Sequence, residues 1–118
     1  MVIRASALLL CVAGACSSAA AQDIAGRYRA ETTNQAGANI LGTAEIVMMS
    51  ENTCRIKWAG GSMGICMLKG ATLAVSYVFR GAPGVGIYEI SKDGTIEGTF
   101  FDDFHKAEIG REKLTPIR

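Results

Sequence analysis

From Gly26 onward, apolar and polar residues alternate in short runs separated by turn-forming residues. Successive side chains of a strand point to opposite faces, so alternation over about four to eight residues marks a half-buried strand. The runs are GRYRAETT, LGTAEIVMM, TCRIKW, SMGICML, TLAVSYVF, GVGIYEI, TIEGTFF and KAEIGREKL. NQAGAN, SEN, AGG, KGA, RGAPG, SKDG and DDFH stand between them. Asp93-Gly94, flanked by alternating runs, is a hairpin signal because tight hairpin turns need positive φ. GAPGVG lacks the Lys-Ser/Thr ending and following helix of a phosphate loop and reads as a hairpin turn. All connections are short, so sequential strands are expected to pair as a meander. The predicted fold is all-β: one antiparallel up-and-down barrel of about eight strands, because closure removes exposed edges.

Alternation assigns the faces. The inward set is Tyr28 and Ala30; Ala44, Ile46 and Met48; Cys54, Ile56 and Trp58; Gly64, Cys66 and Leu68; Leu73, Val75, Tyr77 and Phe79; Tyr88 and Ile90; Ile96 and Phe100. Gly86, Gly98 and Gly110 fall on the same rows, which implies an interior that is bent or partly empty. Arg27, Arg29, Glu31, Glu45, Arg55 and Lys57 form a solvated outer face. On three successive strands, however, the outward positions are Met63, Ile65 and Met67, then Ala74 and Val78, then Val85 and Ile87. A contiguous outer apolar patch marks an interaction surface. The alternative is a β-bulge that reverses the facing of one strand.

In TCRIKWAGGSMGICM, a hairpin pivoting on Gly60 sets Trp58 opposite Ser62, Ile56 opposite Gly64 and Cys54 opposite Cys66. Opposed antiparallel residues lie roughly 4.5 to 5.5 Å apart at Cα, within disulfide range. A redox pair favours C-x-x-C, and a structural metal site wants four closely spaced ligands. Here the only histidine is His105, so Cys54 and Cys66 read as a structural disulfide, with no metal and no cofactor implied.

The first residues, MVIRASALLLCVAGACSSAAA, carry Arg4 ahead of an apolar stretch and end in small residues, the pattern of a cleaved secretory signal over residues 1–21. The apolar stretch is too short for a membrane helix, so no permanent span is expected. Cys16 after VAGA raises lipoprotein anchoring as an alternative, but Ala13 stands where such signals carry a large aliphatic residue. The expected destination is the periplasm or the exterior, an oxidising compartment that suits the disulfide. Without Arg4 the basic count falls from 12 to 11, equal to the 11 acidic residues. Near neutrality with no basic run argues against a nucleic-acid partner. Residues 22–118 form one domain, small enough that a covalent staple is useful.

The blocks GRYRAETTNQAGANILGTAEI, NTCRIKWAGGSMGICM, LAVSYV, GVGIYEISKDGTIEGTF and the closing GREKLTP resemble a family of small secreted alphaproteobacterial proteins. Members run from a G-x-Y opening through T-C-R-I-x-W and G-I-C-M to a final G-x-E-x-L-T-P, and some bear the label of fibronectin-binding protein. The resemblance covers the mature chain and implies an exported binding protein. Phe100 to His105 reads FFDDFH where members usually carry a Trp-Thr stretch.

His105 beside Asp102 and Asp103 is the one place where a base and carboxylates gather, and it reads as a solvated turn. Ser62, Ser76 and Ser91 have no neighbouring base in sequence. Glu112 shares a row with Gly110 and Leu114, so it is expected to face inward and to need an Arg or hydroxyl partner, as a closing ion pair, the first expectation, or as the polar anchor of a ligand. These readings favour a non-enzymatic binding module acting through the outer patch of Met63, Ile65, Met67, Val78, Val85 and Ile87 on a protein partner or a second copy. The alternative is a carrier of a small apolar ligand in the interior, lined by Tyr28, Trp58, Tyr77 and Tyr88. In a barrel of this size those aromatics are expected to fill the core instead. Inhibition of a secreted protease is a third reading, on architecture alone.

Overall fold

Eight strands, each hydrogen-bonded to its neighbours in chain order, close into an antiparallel barrel. They are β1 (Gly26–Thr33), β2 (Asn39–Met48), β3 (Thr53–Trp58), β4 (Met63–Lys69), β5 (Thr72–Phe79), β6 (Ala82–Ile90), β7 (Ile96–Asp102) and β8 (Gly110–Pro116). The computed structural model describes residues 23–106 and 108–118. The signal segment 1–21, with Cys16, lies outside the described residues. β8 closes on β1, from Tyr28 opposite Pro116 to Thr33 opposite Arg111. Among the described residues no helix is long and apolar enough to cross a membrane.

Several boundaries differ from the sequence reading, β2 for one starting at Asn39 rather than Leu41, and two of them have a clear physical reason. RGAPG is not a long turn: the reversal is confined to Arg80 and Gly81, at φ 52° and 82°, and β6 starts at Ala82. Positive φ at both central residues is the hairpin turn whose twist matches its strands. Pro83 fits inside β6 because it follows the pair next to the turn, so its nitrogen faces the β7 side, where pairing begins only at Gly84 opposite Asp102. The second difference is at the start of β8, which Glu108 and Ile109 do not extend. A 3-10 turn (Asp103–His105) ends with Lys106 in the left-handed region, and β8 begins at Gly110.

The inward rows follow the alternation. Ile46, Ile56, Leu73, Ile96, Leu114 and Cys54 are almost fully buried and lie toward the end of the barrel where β1 enters. Each large side chain there stabilises the fold by about 1.5–3 kcal/mol through burial. Ile24 and Tyr28 complete this packed end, where the Tyr28 hydroxyl donates to the Ile24 carbonyl at 2.7 Å. Cys54 faces Cys66 in the β3–β4 ladder at a Cα separation of 4.9 Å, and the two form a disulfide. The pivot holds as well, since the Trp58 amide donates to the Ser62 carbonyl at 2.9 Å.

Candidate ligand-binding site

The opposite end of the barrel is hollow. A cavity of about 520 Å³ occupies it, reached from the loops that follow β1, β3, β5 and β7. Small-molecule pockets range over roughly 300–1,000 Å³. The expectation that aromatic residues fill the core therefore fails in this half. The reason lies in the glycine rows. Tyr77 on β5 stands opposite Gly84 on β6, and Phe100 on β7 stands opposite Gly110 on β8. A methyl group at Gly84 would run into the Tyr77 ring, and one at Gly110 into the Phe100 ring. Because both positions lack a side chain, the rings lie down across the neighbouring strand and leave the lumen open. Trp58 meets Tyr77 edge-on at 5.9 Å, and Tyr77 meets Phe100 edge-on at 6.2 Å, so the three rings form one continuous aromatic wall.

Glu112, only 6% exposed, forms the polar floor. Its Oε2 accepts from Thr32 Oγ1 at 2.8 Å and its Oε1 from the Tyr88 hydroxyl at 2.9 Å, while the Trp58 indole N–H is shared between the two oxygens at 3.2 and 3.3 Å. β1, β3 and β6 thus converge on one carboxylate of β8. Burial pushes the Glu112 carboxyl above its ordinary range, and the three neutral donors only partly oppose it. Burial and the same carboxylate hold the Tyr88 hydroxyl protonated well beyond its usual range. The expected ion pair is therefore a correction: the partners are a hydroxyl, a phenol and an indole, because Arg111 and Lys113 on either side of Glu112 point outward.

Asp102 is a second correction. DDFH is not a solvated turn, for Asp102 is 2% exposed and faces the cavity near its mouth. Its Oδ2 accepts from the Tyr77 hydroxyl at 2.9 Å and from Gln35 Nε2 at 3.2 Å. Its Oδ1 takes the His105 backbone N–H at 3.0 Å and lies 2.7 Å from His105 Nδ1. Burial alone would raise the Asp102 carboxyl, but the bonds from His105 and Tyr77 outweigh it and hold the group below its ordinary range. Asp102 also caps the 3-10 turn, so one carboxylate ties the β7–β8 loop, the β1–β2 loop through Gln35, and the aromatic wall together. His105 stacks on Phe79 at 5.5 Å, and Arg80 lies over the Phe79 and Phe104 rings, closing one side of the mouth. The other side is looser. β2 pairs with β3 only from Ala44, so Ile40, Leu41, Gly42 and Thr43 line an opening above the β3–β4 turn.

Of the four residues expected to line a ligand, Trp58, Tyr77 and Tyr88 come together at this cavity, and Tyr28 does not. Tyr28 sits early on β1, at the packed end. Asp102 was legible in principle, for it continues the inward row Ile96, Gly98 and Phe100. Gln35 carries no periodicity signal because it lies on a loop. On the outer wall Met63, Ile65, Met67, Val78, Val85 and Ile87 are all exposed, between 47% and 61%. Met67, Ala74 and Ile87 share a row across β4, β5 and β6, and no bulge reverses the facing. Among the described residues no cluster of three or more His, Cys, Asp or Glu is arranged to hold a metal.

No family model matches the chain, and no curated protein matches it. Solved structures that share the fold include two of note. One is EF1p2_mFAP2b bound to DFHBI, with a TM-score of 0.65 and 14% identity over 80% of this chain and 94% of that one. The other is an asparagine-to-alanine variant of the fluorescent protein UnaG, with a TM-score of 0.51 and 11% identity over 80% and 96% of the two chains. At such identity these are likenesses of fold.

Proposed function

We propose that this protein is an exported, non-enzymatic carrier that holds one small, largely apolar ligand in the hollow half of its barrel. The observation that carries the reading is the aromatic cavity itself: about 520 Å³, walled by Trp58, Tyr77 and Phe100 and floored by a buried carboxylate. An eight-stranded barrel is just wide enough to hold one small ligand. Rings laid over glycines keep this interior open at a cost in core packing, which supports a need for the space. That a similarly folded protein is bound to the small molecule DFHBI lends further support to a small-ligand role. The N-terminal pattern and the disulfide support export to an oxidising compartment.

Native mass spectrometry of the mature domain, recovered from the periplasm of its own host, tests the carrier reading. A non-covalent adduct of a few hundred daltons, lost on mild activation, is the expected result. Its persistent absence, together with failure of small aromatic probes to bind, would overturn the reading.

The exposed apolar patch of β4, β5 and β6 favours a second reading, a binding module that captures a protein partner through its outer wall. The two readings are separable, because the patch and the cavity lie on opposite faces of the same strands. The resemblance to exported proteins with a fibronectin-binding label belongs with this second reading.

A further inference from the structure

The interior charges do not balance. Among the described residues Arg29 pairs with Glu31 on the outer face, and the His105 ring hydrogen-bonds Asp102. Asp102 thus has an imidazole beside it and receives four hydrogen-bond contacts. Glu112, deeper and equally enclosed, receives only neutral donors. A buried carboxylate without a counter-charge is costly unless something neutralises it. Its protein donors are few. A carboxylate offers about four lone-pair sites, and here three hydrogens serve them, one stretched between both oxygens at the long end of the hydrogen-bond range. The residues around this carboxylate are aromatic, and aromatic faces attract cations most strongly where water is excluded. A buried carboxyl group with only neutral donors, enclosed by indole and phenol rings, is complementary to a positively charged N–H donor attached to an apolar body.

Resting on the carrier reading and narrowing it, we propose that the ligand is an arylalkylamine carried as its ammonium cation, its nitrogen on Glu112 and its ring against Trp58, Tyr77 and Phe100. The ligand supplies the positive charge that the strands around Glu112 lack. Entry is past Ile40 and Leu41, whose apolar side chains at the rim suit the aromatic end of such a molecule.

Three probes of one shape test this: 4-phenylbutylamine, 4-phenylbutanol and 4-phenylbutyrate, which are cationic, neutral and anionic near neutral pH. Trp58 is the only tryptophan and lines the cavity, so its fluorescence reports binding in the full mature chain. The amine is expected to bind at least tenfold more tightly than the alcohol, and the carboxylate more weakly than both. Glu112→Gln is expected to bring the amine-to-alcohol affinity ratio to about one. Equal or tighter binding of the alcohol or the carboxylate by the parent protein would overturn the amine assignment while leaving a carrier. Failure of all three to perturb Trp58 up to millimolar concentration would remove the carrier reading and the assignment with it. The parent comparison decides the matter even where the variant folds poorly.

Discussion

Glu112 links the stability of this protein to pH. Its carboxyl titrates above the ordinary value of 4.5 because burial penalises the charged form. Between 4.5 and the raised value the folded protein therefore holds a proton that the unfolded chain has released. The stability this contributes is fully present at low pH and is lost as pH rises through the folded value. Asp102 has the opposite sign: its lowered carboxyl contributes stability above 3.8 that disappears as pH falls. Urea unfolding of ligand-free protein from pH 4.5 to 8 should show declining stability, and Glu112→Gln should flatten that decline. Parallel profiles for parent and variant would show that Glu112 does not titrate in this window. That Glu112 points inward was readable from its row with Gly110 and Leu114, whereas its partners were not. Thr32, Trp58 and Tyr88 lie 80, 54 and 24 residues away in sequence, and only closure of the barrel brings them together.

At the level of strands and hairpins, the cavity depends on glycines set opposite aromatics. Gly84→Ala or Gly110→Ala should lift the Tyr77 or Phe100 ring off the wall, cost about 1–3 kcal/mol as an overpacked site, and weaken binding of 4-phenylbutanol by tenfold or more. Retained affinity in both variants would mean that the rings have other room to move. The β3–β4 hairpin makes a separate prediction. Replacing Cys54 and Cys66 together by serine should lower stability by about 2–4 kcal/mol, measured by denaturant midpoint, without changing which probes bind, because the disulfide lies in the packed half. The hairpin was legible because its two cysteines sit symmetrically about Gly60, a purely local relation. The turn at Arg80-Gly81 was not, because Pro83 reads as a breaker unless it is known that β7 offers it no partner.

The whole molecule presents two surfaces that follow from a single alternation: an inner one that is aromatic and acidic, and an outer one that is apolar across β4, β5 and β6. If the outer wall captures a partner, Ile65→Lys or Ile87→Lys should abolish that capture or self-association, read by analytical ultracentrifugation. Both side chains are exposed, so the thermal midpoint should move by no more than a few degrees. Binding of small probes should be unaffected, since these side chains point away from the lumen.

Local chemistry alone determined that the chain alternates, that it turns about every ten residues, that two cysteines face each other, and which residues point inward. Those relations involve neighbours in sequence or directly paired strands, where period and turn type suffice. Whether the inward residues fill the barrel or line a space was decided only by closure. The answer depends on how rings from one strand settle over glycines of the next, and on which distant donors reach a single buried carboxylate. Packing of that kind is a property of the closed barrel as a whole, and no periodicity along the chain encodes it.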